Sequence, residues 1–159
     1  MTYCVAIAVK AGIIFCSDSR TNAGVDQIST YSKMSHFGKD GERQFVVLSA
    51  GNLATTQAVI NQLKNDIKQN AGSHLLNIPS LNEAAEYLGR ISVTQQEKYS
   101  SGPIHEASFI IGGQIAGASH QIMMIYPQGN FITSSVDTPY LQIGESKYGK
   151  PILDRIIEP

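Results

Sequence analysis

Thr2 follows an initiator Met1 whose removal would leave a hydroxyl and a free α-amine on one residue. An α-amine titrates near ~7.7–8.0, so at neutral pH a useful fraction is unprotonated and can accept the hydroxyl proton. One residue then supplies nucleophile and base, the N-terminal-threonine form of hydroxyl catalysis. A retained Met1 would turn the amine into an amide and remove the base. Many soluble chains begin Met-Thr, so the weight of Thr2 comes from what lies around it. Asp18 is the first such neighbour, a carboxylate able to orient a cation or the terminal amine; its alternative is a turn or capping residue. Gly51 is the second. It closes an apolar run and precedes a helical pattern, so it reads as the glycine a bend needs. Its N–H, near a helix start, is also suited to holding a developing oxyanion.

The elements that must bring these residues together are legible in outline. Residues 2–9 (TYCVAIAV) and 13–17 (IIFCS) are uncharged and rich in β-branched side chains, with Lys10-Ala11-Gly12 as a turn signal between them. So short a turn makes the two strands antiparallel. The two-residue period puts Thr2, Cys4, Ala6 and Ala8 on one face, and the returning strand delivers Asp18 beside Thr2. Residues 21–27 read as a loop or irregular strand, 29–37 as a strand carrying Lys33, 38–41 as a turn, and 44–49 as a buried strand. Val59, Ile60, Leu63 and Ile67 fall on one helical face with Lys64, Asp66 and Lys68 opposite, and Ser80 with Glu83 forms a capping box for a second helix. These helices are expected near 53–69 and 81–98. Strands return at 107–111, 121–126 and 131–134, with 127–130 as a hairpin turn; 144–149 reads as a loop and 151–157 opens a third helix. Strands, two helices, strands, then a helix is an α+β order.

The 159 residues, 42% of them hydrophobic, fit one domain with a sizeable core. A net charge of −1 gives no basic footprint, so no nucleic acid is expected as partner. No apolar run approaches membrane-spanning length, and the apolar opening lacks the basic region of a secretory signal, so no membrane is expected and a cytoplasmic location is. Cys4 and Cys16 read as buried, reduced thiols rather than a disulfide. There is no CxxC, HExxH or paired-His spacing, so neither metal nor cofactor is expected. His36, His74, His105 and His120 are scattered and read as incidental.

The run TYCVAIAVKAGIIFCSDSRTNAG resembles the opening of proteasome β-type subunits: threonine, strand, Gly turn, strand, Asp-Ser-Arg, Ala-Gly. STYSKM with Lys33, LSAGNLA with Gly51, and YPQGNFI ahead of QIGESKYG follow in the family's order. Asn-Ala-Gly-Val-Asp and IGESKYGKPILDR are most similar to Anbu, the bacterial proteasome-like branch. The resemblance spans essentially the whole chain as a single domain, 1–159. It implies the αββα sandwich of the N-terminal-nucleophile hydrolases: two antiparallel sheets face to face, with helices outside. The chain stops inside what reads as a starting helix where family members continue, so either the protein is short or this is part of a longer chain.

The resemblance also implies roles. Lys33, otherwise a solvated strand lysine, would lie against the threonine hydroxyl and favour its ionised form, helped by Asp18. Counted from Ala23-Gly24 it arrives one residue earlier than in proteasome subunits, a slip that reverses the facing side of a strand unless the intervening loop absorbs it; we expect the loop to absorb it. Where the family has Gly-Ser-Gly, with the serine on the terminal amine, this chain has Gly144-Glu145-Ser146, and either Glu145 or Ser146 can reach that amine. A carboxylate there would hold the amine protonated and slow the reaction. Substrate would run extended between Thr21, Asn22 and Ala23 on one side and residues 51–53 on the other, with Thr21 and Leu53 lining the pocket for the residue before the scissile bond. The implied function is an N-terminal-threonine amide hydrolase of peptides, working through an acyl-enzyme on Thr2. The alternatives are a weak or inactive self-assembling relative and an amidase for a non-protein amide. The implied partner is a second copy of the chain, in a ring or helical stack built through the outer helices. A charged fraction of only 16% is compatible with that.

Overall fold

A computed structural model of the protein describes residues 2–22, 28–98, 103–145 and 149–157. The opening hairpin forms as its pattern predicts. Strand β1 (Tyr3–Val9) pairs antiparallel with β2 (Gly12–Ser17), Cys4 opposite Ser17 and Val9 opposite Gly12. A short antiparallel pair follows, β3 (Arg20–Asn22) with β4 (Ile28–Thr30). Next come β5 (Met34–Lys39), β6 (Arg43–Gly51), helix α1 (Leu53–Lys68) and helix α2 (Leu81–Glu97). The chain then returns through β7 (Ala107–Ile115), β8 (Gln121–Ile125) and β9 (Phe131–Thr133). Strand β10 (Tyr140–Gly144) joins the free edge of β1, and α3 (Gly149–Ile156) comes last. The sheets are therefore β10-β1-β2 and β5-β6-β7-β8-β9, both antiparallel.

Two cores hold the layers together. The inward residues of β1 and β10 (Cys4, Ala6, Leu141, Ile143) meet Leu48, Ala50, Ile110 and Ile122 from the five-stranded sheet. Its other face, Phe45, Val47, Phe109, Ile111, Met123 and Ile125, packs against Val59, Leu63, Ala84 and Leu88 of α1 and α2. Strands β6, β7 and β8 are thus apolar on both faces, which is why they read as unbroken hydrophobic runs rather than alternating ones. Each fully buried large side chain contributes on the order of 2 kcal/mol. On the far side of the smaller sheet, α3 touches β1 and β10: Gly149 lies against the Tyr3 ring and Asp154 accepts a hydrogen bond from the Tyr140 hydroxyl. The order is helices, sheet, sheet, helix, the αββα sandwich.

The helix starts have identifiable caps. Asn52 Oδ1 accepts the Thr55 N–H at 2.9 Å; Ser80 is the N-cap of α2, its Oγ accepting the Glu83 N–H at 3.2 Å and its hydroxyl donating to the Glu83 carboxylate at 3.3 Å.

Several expectations are corrected. The turn read at 38–41 sits at 40–42, because Gly38 belongs to β5, where the side chain of its cross-strand partner Gln44 occupies the space a Cβ would fill. Lys33 lies in a break between β4 and β5 rather than in a strand. Cys16 is exposed, not buried. Strand β10 stands in residues to which the pattern assigned no element, apart from Gly144, and α3 begins at Gly149, two residues ahead of the expected start.

Candidate active site

Thr2 precedes the first residue of β1, and its carbonyl oxygen accepts the Glu145 N–H at 2.6 Å, just past the end of β10. The approach is close enough that a Cβ on Gly144 would stand 2.1 Å from the Thr2 carbonyl oxygen, and Gly144 has φ +89°. Only glycine lets the two strand ends come together this way. The position of Thr2 is therefore held from both sides of β1. On the β2 side, Asp18 Oδ1 accepts the Tyr3 N–H at 2.8 Å, and the Asp18 N–H reaches back to the Tyr3 carbonyl at 3.2 Å.

The second oxygen of Asp18 meets the ammonium of Lys33 at 2.6 Å. Lys33 Nζ also donates to the carbonyl of Arg20 at 2.6 Å, and its side chain is buried. Burial alone would raise the Asp18 carboxyl; the Lys33 hydrogen bond, the Tyr3 N–H and the lysine's charge outweigh it and hold the carboxyl below the usual carboxylate range. The break that carries Lys33 is made locally. Ser32 Oγ donates to the Met34 carbonyl at 2.7 Å, a side chain-to-backbone bond that competes with strand pairing. The Ser49 N–H holds the Lys33 carbonyl at 3.0 Å and fixes the segment against β6. Lys33 thus meets Asp18 from this break rather than from a strand. Arg20 enters this network through its carbonyl.

Gly51 ends β6 with φ +115°, and a Cβ there would stand 2.4 Å from the Glu106 carbonyl oxygen. Thr2, Lys33 and Gly51 line one cleft of about 630 Å³, together with Leu53. Beneath it, Cys4 is fully buried with its thiol against the Ser49 carbonyl, and burial first, then the nearby Asp18 charge, pushes that thiol up to about 12. A thiol so protonated and buried is unreactive.

The proteasome subunit family model matches residues 2–159. Anbu (ancestral beta-subunit) from Yersinia bercovieri is 49% identical to the chain and superposes with a TM-score of 0.95, covering 99% of this chain and 66% of that one. The chain belongs to the proteasome family, in its Anbu branch. The structure described as the helical assembly of the Anbu complex from Pseudomonas aeruginosa is also 49% identical, with a TM-score of 0.92 over 99% of this chain and 66% of that one. Anbu from Hyphomicrobium sp. strain MC1 is 44% identical at a TM-score of 0.89, with 99% and 66% covered. The chain thus spans slightly under two thirds of the length of these Anbu structures. No curated protein matches the chain.

Of the residues the Anbu resemblance singled out, Thr2, Asp18, Lys33, Gly51 and Leu53 come together. Glu145 approaches Thr2 through its backbone N–H, with its side chain exposed. Thr21 and Asn22 lie on β3, opposite Ser29 and Ile28. Ser146 and Ala23 lie outside the described residues. Sequence reasoning missed Tyr3, whose N–H organises Asp18, and β10, which carries Gly144 and Glu145 to Thr2. It also missed the length of the cleft, which extends past Leu53 along α1 to Asn61 and Lys64. The three- and four-residue spacing from Leu53 was the available signal. Among the described residues no cluster of His, Cys, Asp and Glu is placed to hold a metal, and no helix is long and apolar enough to cross a membrane.

Proposed function

We propose that the chain carries the reactive site of an N-terminal-threonine hydrolase of peptide amide bonds. With Met1 removed, the Thr2 hydroxyl attacks the scissile carbonyl carbon while the α-amine of Thr2 takes its proton. The Lys33 ammonium, paired to Asp18, favours the developing alkoxide, and the Gly51 N–H receives the oxyanion. Collapse of the tetrahedral intermediate breaks the C–N bond. The amine product leaves with the proton, and an ester remains on Thr2. Water then hydrolyses that ester and restores the hydroxyl. The substrate lies extended between β3, with Thr21, Asn22 and the following Ala23, and the Gly51–Leu53 turn, where backbone pairing tolerates many sequences.

The observation that carries this reading is the chain of contacts Tyr3 N–H to Asp18 to Lys33, a buried cation aimed by a carboxylate that also grips the residue after Thr2. Glu145 and Ser146 are the candidates to hold the free amine. Self-association through the outer helices belongs to the same proposal, supported by the helical assembly described for the Pseudomonas aeruginosa relative.

Intact mass and peptide turnover test it together. The purified full chain is expected to lack one methionine and to hydrolyse short peptide esters. Thr2→Ala is expected to abolish turnover while leaving the sedimentation profile of the assembly unchanged. Turnover that survives Thr2→Ala removes Thr2 as nucleophile, and a species of monomer mass at every concentration removes the assembly.

A further inference from the structure

The cleft runs well past the reactive threonine. Leu53, Thr56, Gln57, Ile60, Asn61 and Lys64 all line it, and their three- and four-residue spacing makes them one stripe of α1. Eleven residues at ~1.5 Å rise separate the first from the last, so the groove continues for roughly 16 Å along the helix. Strand β5, the edge strand of its sheet, also lines the cleft through Ser35 and His36. Such a groove is long enough for several residues on the acyl side of a scissile amide.

Its chemistry is one-sided. Among the described residues that line it there is no Asp or Glu. Lys33 is committed to Asp18 at one end, and Lys64 stands at the other on an exposed, flexible stem. Between them the amides of Gln57 and Asn61 offer N–H donors, and the stripe carries only two aliphatic side chains, Leu53 and Ile60. A carboxylate entering here finds a cation and donors, while a lysine or arginine finds a like charge and nothing to neutralise it. We propose that the groove takes peptides bearing acidic side chains on the acyl side of the scissile amide, with Lys64 as the cation that selects them. The proposal rests on the amide-hydrolase reading for the direction of the substrate, and its test separates the two.

The full chain carrying Thr2→Ala is titrated with fluorescent peptide amides that differ only in the fourth and fifth residues before the scissile amide, which a rise of ~3.3 Å per extended residue brings to Lys64: Glu-Glu, Gln-Gln or Lys-Lys. Lys64 is exposed, so the discrimination is modest, about fivefold for the acidic over the amide peptide at low salt, and it collapses at high salt. Adding Lys64→Ala is expected to bring the two peptides level, and adding Lys64→Glu to make the Lys-Lys peptide the tightest. Equal binding of the acidic and amide peptides, or a ranking unmoved by Lys64→Glu, overturns the proposal. Turnover of the same peptides by the parent chain is the second arm. Acid-selective binding without turnover upholds the groove's selectivity and refutes the hydrolase; turnover with no acid preference refutes the groove's selectivity and upholds the hydrolase.

Discussion

The Lys33–Asp18 pair is unequal in exposure, 7% for the lysine side chain and 35% for the carboxylate, so its two halves should cost different amounts to remove. Asp18→Asn leaves a buried ammonium without its counter-charge. Breaking a buried pair that way costs about 3–5 kcal/mol. The Arg20 carbonyl still accepts a hydrogen bond from Lys33 at 2.6 Å, and the lost carboxylate was partly hydrated. Those two features discount the loss to about 2 kcal/mol. Lys33→Met goes the other way. It replaces the buried charge with an apolar chain of similar length, and it leaves Asp18 with water and the Tyr3 N–H. That change is expected to cost at most about 1 kcal/mol. Both variants should lose catalysis, so stability and activity part company at Lys33 and fall together at Asp18. The chain has no Trp, which makes far-UV circular dichroism during urea unfolding the suitable readout. The two singles and the double variant form a cycle with an expected coupling of about 1 kcal/mol or more. If Lys33→Met destabilises as much as Asp18→Asn, the lysine is held by more than this charge pair and the reasoning fails.

The same pair sets an acid limit. The Asp18 carboxyl is held below its ordinary range, so its contribution is present above the unfolded value near ~3.9 and disappears as pH falls through the lower folded value. The stability gap between parent and Asp18→Asn should therefore close across that acid window, read by urea midpoints at successive pH values. Gly51→Ala places a Cβ at φ +115° and 2.4 Å from the Glu106 carbonyl oxygen. It should cost about 2 kcal/mol or more and lower turnover as well; a variant with parent stability would mean that β6 and β7 part easily at this end.

Much of the architecture was legible because the period of two is so clean in β1. Cys4 and Ala6 lie inward, as the alternation from Thr2 requires, and the Lys10–Gly12 turn sends Asp18 back to Tyr3. The break at Lys33 was not legible, because Ser-Lys-Met has no strand-breaking residue. What interrupts the strand is the Ser32 hydroxyl bonding two residues on, a competition that composition does not reveal. Strand β10 was missed for another reason. It is five residues long, with only Leu141 and Ile143 buried, and its pairing joins Tyr3 to Gly144. Nothing local announces so distant a partner, although the Leu-Gln-Ile alternation after Pro139 was a usable signal. The cleft's extent was obscured by assigning Lys64 to the solvent face of α1: an exposed position and a groove wall have the same helical phase when the groove itself is open to water.

The bond from Glu145 to Thr2 has a consequence for biosynthesis. A ribosome delivers Thr2 first and residue 145 last among the groups that fix it. Until β10 has been made, β1 has one neighbour and its start frays as any strand end does. The closure spans nearly the whole described chain and is entropically the slowest kind to make. Through most of synthesis Thr2 therefore lacks the fixed position that its bond to Glu145 gives it. Under the chemistry proposed above, the site is assembled only once β10 has joined β1.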